Sequence, residues 1–572
     1  MKKTKPIIKD AISRKIASID IETYGTYNKF ILGSVVYDNK IKFFDDRLEL
    51  KEFLRSDALK DYFIFATNLD FDFFGVFGVD ASEEIHPIFS GSRLISIKVM
   101  PFGCNERVFL DSLNFLPVSV EQLGKIIGIP KMEKPKWLGH KPKNKKEYEY
   151  LKKYNINDSM ITYTFAKYMH DGLFEKHIQM NQTIASTSLW AYLKIFMDRV
   201  FYTPPLNILE YTRKAYYGGR TEVFTTGKIK EDLYLYDVNS LYPFSMKNEF
   251  PDTETIQKIT HNTDINLIRK YQGVSYVRVK APYMKYPILP FRDEEKRLIF
   301  PYGTWNGFYT HNELNYAIDN GYDITPISSL YYEKTFRPFD SFVDTFYNLR
   351  KTDPKNSTIY KLILNSLYGK WGQSWDDKFV FKPMTKIKRL PDNFITEKNG
   401  WVILKEKGQI PYFANPIFSV YTTAYGRILL HKLITESEAL YCDTDSVITR
   451  KKLIDSAELG HVKLEQSIKK TILVKPKLYM YETTDNKIKI KTKGFYSKDI
   501  GVFNNVLLNQ KVSNIRFTKF RQTFRQEKEV LEKYEHLMEI DLLDKKRDWL
   551  TPFNTDQISE SKPIYLVNGV KI

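Results

Sequence analysis

Tyr441-Cys442-Asp443-Thr444-Asp445-Ser446 sets two carboxylates one residue apart between short apolar segments, Ala439-Leu440 before it and Val447-Ile448 after it. Read as strand, tight turn and strand, it predicts a hairpin with Asp443 and Asp445 at its tip, where oxygens from both can hold a hard divalent cation. An ordinary surface turn is the competing reading, because Asp, Thr and Ser are the usual turn formers. What separates the two is whether the chain supplies other carboxylates in contexts that could join this pair.

The chain has 572 residues and 42% hydrophobic content, enough to bury several cores, so a soluble protein of two to four domains is expected. There is no run of about 18 apolar residues to cross a membrane. The start, Met1-Lys2-Lys3-Thr4-Lys5-Pro6, lacks the apolar segment of a secretory signal, which implies an intracellular protein. Cys104 and Cys442 lie far apart and give neither a disulfide framework nor a zinc cluster, so any metal is expected on oxygen ligands. A net charge of +18 and 15% aromatic residues suit a polyanion with bases to stack on. The excess of Lys over Arg, with abundant Asn, Ile, Tyr and Phe, is also what an AT-rich genome encodes.

In the N-terminal third, Ile16 to Thr23 reads as a strand whose alternation puts Asp20 and Glu22 on one face. Two adjacent carboxylates repel each other, and a metal relieves that repulsion. Strands are expected at Ile31–Tyr37, Ile41–Phe44, Tyr62–Ala66 and Arg107–Asp111, with helices at Glu49–Leu59, from Leu69 and at Val120–Ile127. Asp70 and Asp72 are both candidates for a third acid, and both are also ordinary charges for the start of a helix. Lys131 to Lys146 reads as an exposed basic loop. A long helix from about Lys146 to Met169 then puts Tyr154 and Asp158 on one face, a turn apart.

A strand with D-x-E, a strand followed by Asp, and a helix with Y-x-x-x-D resemble, in that order, the three motifs of the DnaQ-like 3′–5′ exonucleases, which have an RNase H-like fold. The resemblance implies two-metal hydrolysis of the 3′-terminal phosphodiester by Asp20, Glu22, Asp72 and Asp158, with Tyr154 assisting the water. Such a site needs several carboxylates to neutralise two cations about 3.5–4 Å apart. It selects Asp72 through the pattern N-x-x-F-D, leaves Asp70 without a role, and implies that Asn68, Phe71, Ser112 and Leu113 contact a single-stranded 3′ end.

Further along, Tyr216-Tyr217-Gly218-Gly219-Arg220 offers two glycines for close approach to a phosphate, with an aromatic ring and Arg220 to stack and pair, although taken by itself the stretch reads first as a plain turn. Leu233 to Val238 reads as an apolar strand that delivers Asp237 at its end, before Asn239-Ser240-Leu241-Tyr242-Pro243. A helix beginning near Asn356 or Ser357 would carry Lys361, Asn365 and Tyr368 on one face, presenting a cation, an amide and an aromatic plane. The patterns D-x-x-S-L-Y-P and K-x-x-x-N-S-x-Y-G resemble motifs A and B of the family B DNA polymerases, and Y-x-D-T-D-S then resembles their motif C.

The resemblance implies that Asp237 and Asp445 hold a metal pair, with Asp443 in support and the Val238 carbonyl as a further ligand. Lys361 and Arg350 would hold the triphosphate, and Asn365, Tyr368 and Tyr242 the rest of the nucleotide, with Tyr242 excluding a 2′-hydroxyl. Tyr216, Gly218, Gly219 and Ser240 would meet DNA, as would Thr423 and Arg427 of T-x-x-G-R and Lys477 and Tyr479 of K-x-Y. The metal would be Mg²⁺, with Mn²⁺ as an alternative, in both sites.

The resemblance covers nearly the whole chain, and its compactness points to the protein-primed branch of family B, as in small phages with linear genomes. It implies an exonuclease domain over residues 1–175 and a right-hand polymerase domain over 176–572, an α/β and α+β multidomain architecture. Within the latter, insertions are expected near 250–340 and 376–411, fingers near 345–375 and a thumb near 496–572, with Arg521 to Leu550 as a charged helix. Implied partners are template and primer DNA, dNTPs and a terminal-protein primer, with the chain a monomer or a heterodimer with that protein, in the host cytoplasm if phage-encoded. A nucleic-acid-primed polymerase, or a nuclease or binding protein with an inactive palm, are the alternatives.

Overall fold

The computed structural model describes residues 2–572 except 102–105, 256–257, 262–263, 496, 498 and 526–527, so Cys104 lies outside the described residues. An N-terminal sheet of seven strands has Lys15–Tyr24 third in its order, antiparallel to Lys29–Tyr37 and parallel to the central strand Tyr62–Ala66, which is in turn parallel to Arg107–Asp111. Tyr62–Ala66 and Arg107–Asp111 are buried along their whole length, as expected of parallel strands covered on both faces. The helix Lys145–Phe174 is capped by the Asn144 side chain, which accepts from Glu147 N. Small polar residues let it approach the sheet closely: Ser18 Oγ donates to Ser159 O at 2.8 Å, and the Ser34 and Ser159 hydroxyls are 2.7 Å apart.

A second sheet runs Thr221–Val223, Tyr441–Asp443, Ser446–Thr449, Leu233–Val238, Val462–Lys475, Thr225–Ile229, and ends with Ser559–Lys562 and Asp548–Trp549. The helix Pro416–Ser437 joins its core to an aromatic cluster in which the Phe418 ring lies 5.3 Å from both Trp371 and Phe339. Residues 272–332 form an antiparallel three-strand unit that the chain end completes: Tyr565–Val567 pairs in parallel with Tyr302–Thr310. A smaller three-stranded sheet, Lys378–Pro383, Trp401–Glu406 and Phe394–Lys398, docks on the N-terminal unit through Trp401 Nε1 to Val79 O at 3.0 Å. Among the described residues no helix is long and apolar enough to cross a membrane.

Two expectations about the C-terminal region change. Arg521 to Leu550 is not one charged helix: a turn of helix, Phe520–Thr523, precedes the strand Lys533–Glu539, which pairs with Lys511–Phe517. Tyr534, His536 and Met538 are half-buried and alternate with exposed Glu535, Leu537 and Glu539, a period of two, and the neighbouring strand supplies the hydrogen bonds. The stretch expected to continue as a thumb to residue 572 instead divides, since its last part adds strands to the second sheet and to the 272–332 unit.

Candidate active sites

The hairpin forms as Tyr441–Asp443 and Ser446–Thr449, with Thr444 at φ +63° in the turn. Its neighbours put a row of residues in direct register across five strands: Thr221, Asp443, Ser446, Asp237 and Lys463. Directly paired residues project to the same face, with strands about 4.8 Å apart, so the row alternates acids with groups that hold or balance them. Thr221 Oγ1 donates to Asp443 Oδ1 at 3.0 Å, and Val238 N donates to Asp445 O at 2.6 Å. Burial, with Asp445 and Glu465 nearby, pushes Asp237 up to about 7, while Lys361 and Lys463 act the other way. Burial and Asp443 likewise raise Asp445.

A cavity of 260 Å³ opens beside the row, lined by Asp237, Ser240, Tyr242, Arg350, Lys361 and Asn365, with Asp445, Lys463 and Glu465 completing it. Arg350 donates to Ser240 Oγ at 2.8 Å, so Ser240 orients a cavity cation. The helix Ser357–Trp371 buries Ile359, Ile363, Leu364 and Leu367 and leaves Lys361 and Asn365 exposed. Tyr368 lies under Tyr242, with ring centroids 4.5 Å apart. A Cβ on Gly219 would come within 2.9 Å of the Tyr242 hydroxyl and of Thr444 Cγ2, whereas one on Gly218 would meet nothing within 4 Å. Tyr216 is half-buried, and its carbonyl accepts from Arg292.

A larger cleft of 1210 Å³ continues from the acids past Lys477 and Tyr479 to Lys489 and Lys491. Lys477 Nζ is 3.2 Å from Asp443 Oδ1, and the Tyr479 ring packs on Tyr441.

Beside this cleft, Arg427 and Thr423, expected to contact DNA, turn inward instead, and so does Arg220, read as able to pair with a phosphate. Arg427 is buried, donating to Glu313 at 2.9 Å and to the carbonyls of Tyr217 and Gly218, so it shapes the Tyr-Gly-Gly turn from behind. Thr423 is buried and donates to Val420 O within its own helix. Arg220 is wholly buried against Glu222 and over the Phe300 ring. A buried guanidinium needs a paired acceptor, and Arg220 and Arg427 each have one inside the fold.

In the N-terminal unit, Asp20, Glu22, Asp72 and Asp158 come together. Asp20 accepts from Asn155 Nδ2 at 2.6 Å, and Asp72 Oδ1 accepts from Ile21 N at 3.1 Å. Burial and mutual repulsion raise Asp20 and Asp72, and burial with Asp158 nearby pushes Glu22 to about 8. Lys131 binds Asp158 Oδ2 and lies over the Tyr154 ring, leaving Asp158 Oδ1 buried without a partner. Among the described residues no three His, Cys, Asp or Glu side chains are drawn tightly enough together to form a ready-made metal cage. The donor chemistry nevertheless fits hard cations: in both sites carboxylates crowd together and burial raises them, and in the N-terminal site Asp158 Oδ1 is left without a partner.

Asn68 takes φ +81°, and its N–H and that of Leu69 both donate to the Asp111 carboxylate. Phe71 packs against Phe517, and Leu113 is half-buried. Ser112 is wholly buried, with its hydroxyl 2.9 Å from Thr67 Oγ1, which takes it out of reach of a strand end. Asp70, given no role by the sequence, is buried and accepts from Phe520 N at 3.0 Å. Lys131, Asn155, Thr221, Lys463 and Glu465 were not anticipated. Asn155 follows Tyr154 and lies three residues before Asp158, a legible helical spacing, whereas the other four reach their sites only through long-range pairing.

Residues 128–400 match a family described as "DNA polymerase type B, organellar and viral". A "probable DNA polymerase" of Podospora anserina is 28% identical over 529 residues, covering 76% of this chain and 43% of that protein. The "DNA-directed DNA polymerase" of Enterobacteria phage PRD1 is 29% identical over 314 residues, covering 51% of this chain and 54% of that protein. The chain thus spans about half of the length of these two relatives. In three dimensions it superposes on Phi29 DNA polymerase complexed with primer-template DNA with a TM-score of 0.71 at 20% identity, over 92% of this chain and 100% of that one. This is a likeness of fold, and it bears out the expected multidomain architecture.

Proposed function

We propose that this chain, a relative of the organellar and viral type B DNA polymerases, is a DNA-directed DNA polymerase with a separate 3′–5′ exonuclease site. The observation that carries the reading is the row from Thr221 to Lys463, which sets Asp443 and Asp237 on one face beside a cavity holding Arg350, Lys361, Asn365 and Tyr242.

When bound, a pair of divalent cations, Mg²⁺ or Mn²⁺, supplies charge neutralisation for the attacking and leaving oxygens of an in-line displacement. Asp237, Asp445 and the Val238 carbonyl would hold it, supported by Asp443. Lys361 and Arg350 bind the triphosphate, Arg350 being aimed by Ser240. Tyr242, pressed between Tyr368 and the Gly219 backbone, has no room to yield to a 2′-hydroxyl. Primer and template follow the cleft past Lys477 and Tyr479, as suits a relative in fold of a polymerase solved with primer-template DNA.

Asp20, Glu22, Asp72 and Asp158 form the second site, where Lys131 sits on Asp158 and Tyr154 and can orient the attacking water's neighbours. Priming from a terminal-protein hydroxyl is supported by the two inserted units at 272–332 and 378–406 and by the likeness to phage polymerases.

Primer extension tests the main reading: wild type should add dNMPs, Asp445→Ala should not, and 3′ digestion should survive in that variant. Loss of both activities together would count against two sites. Incubating the enzyme with genome-end DNA, a candidate terminal protein and a single labelled dNTP should yield a protein–dNMP adduct; extension of oligonucleotides alone would withdraw protein priming.

A further inference from the structure

Thr221–Val223 is an edge strand of only three residues, and its ladder partner is the catalytic hairpin strand, in the register Thr221 to Asp443, Glu222 to Cys442 and Val223 to Tyr441. Alternation turns Thr221 and Asp443 to the face that carries the acids, where Asp443 lines the larger cleft, and Glu222 and Cys442 to the interior. There Glu222 lies between two guanidiniums, 2.6 Å from Arg220 Nη2 and 3.5 Å from Arg547 Nη1, and the three side chains are fully buried. Each arginine is fixed in turn. Arg220 donates to Pro287 O at 2.7 Å. Arg547 donates to Ser561 Oγ at 2.7 Å and to Lys285 O at 2.9 Å. The next residue back, Lys546, donates to the outward carbonyl of Thr221 at 2.8 Å.

A buried ion cluster adds little net stability over apolar packing of the same volume, and its best-attested use is to fix register. Register is what so short a strand lacks, because a slip of one residue exchanges its faces. A slip here would bring Arg220 or Glu222 opposite Asp443 and withdraw the Thr221 hydroxyl from that carboxylate. It would also pull Glu222 from its two cations, a cost the alternative register cannot recover.

We propose that Arg547, with Lys546, is a positioning residue for polymerisation: it locks Glu222 and hence the Thr221–Val223 register, so that Thr221 holds the Asp443 carboxylate in place. The C-terminal segment thereby belongs to the polymerising site without touching substrate. The inference rests on the polymerase reading, and wild-type incorporation that Asp445→Ala abolishes is the control for that reading.

The experiment measures single-nucleotide incorporation by the full chain against dNTP and against Mg²⁺, with melting temperature as the check on folding. Thr221→Val is isosteric and removes only the hydroxyl. It should lower kcat about tenfold, the loss of one hydrogen bond to a charged acceptor. It should also raise the Mg²⁺ concentration for half-maximal rate, leaving KM for dNTP and the melting temperature unchanged. Arg547→Met should show the same pattern more strongly, and Arg547→Lys should recover part of it. Wild-type kcat and Mg²⁺ dependence in Thr221→Val would overturn the proposal, as would a folded Arg547→Met whose defect lies in KM for dNTP. If Arg547→Met does not fold, Thr221→Val decides alone.

Discussion

Asp70 makes a quantitative prediction about how the N-terminal unit and the C-terminal hairpin stay together. Its carboxylate accepts the Phe520 N–H at 3.0 Å inside a slot where the Phe520 ring stacks on Phe74 at 4.3 Å and meets Trp401 edge-on at 5.7 Å. Three chain segments distant in sequence therefore share one core. Asp70→Ala leaves a buried N–H without an acceptor, which costs about 1–3 kcal/mol, or roughly 5- to 150-fold in the closed-to-open ratio of this contact. Asp70→Asn keeps an oxygen in place, and burial already disfavours the charged acid. Hydrogen exchange should show faster exchange at the Phe520 amide by that factor in Asp70→Ala, with Asp70→Asn near wild type. Primer extension against a heparin trap should give shorter products in the alanine variant. An alanine variant with undiminished Phe520 protection, or an asparagine variant as damaged as alanine, would refute the latch.

Tyr242→Val should admit ribonucleotides, and Gly219→Ala, whose methyl would press on the Tyr242 hydroxyl and Thr444, should slow incorporation; unchanged selectivity in the first would place the sugar filter elsewhere. Asp20→Ala combined with Asp158→Ala should abolish 3′ digestion and spare incorporation, read on a labelled single-stranded oligonucleotide. His311 and His431 are held neutral at about 4 by burial, His311 between the Tyr271 carbonyl and the Ser275 hydroxyl, and His431 between the Tyr286 carbonyl and the Tyr316 hydroxyl. Their folded values lie below the unfolded one, so their contribution is complete above pH about 6.5 and lost as pH falls toward 4, up to about 3 kcal/mol each. Denaturant midpoints should drop through that window in wild type and less steeply in His311→Gln. DNA affinity should fall with salt, with a log–log slope of about 0.7–0.9 per neutralised phosphate; a flat profile would exclude the basic cleft.

What the sequence made legible is what local pattern controls. Tyr62–Ala66, Arg107–Asp111 and Val120–Ile127 have the bounds their apolar patterns predict, and the hairpin at Asp443 and Asp445 forms where the turn chemistry puts it. Asp70 and Asp72 could not be told apart by composition, but residues two apart on a helix point some 200° from each other. They accordingly face different partners: Asp72 meets the Ile21 amide beside Asp20, and Asp70 meets Phe520. The partner decides the role, and a partner 450 residues away leaves no local trace.

The motif arginines, too, take their roles from distant partners. Arg220 and Arg427 stand in patterns suited to phosphate contact, yet Glu222 and Glu313 meet them in the interior. Both ion pairs lie directly behind the Tyr216–Arg220 turn, and the Arg220 carbonyl accepts the Thr444 amide of the hairpin that carries Asp443 and Asp445 at 2.7 Å. Gly219 must stay bare because Tyr242 and Thr444 close over it, so the turn cannot be stiffened by a side chain of its own at that point. Its rigidity has to come from beneath, and charges that look available to DNA in the sequence are spent holding the surface on which Tyr242, Asp443 and Asp445 are arranged.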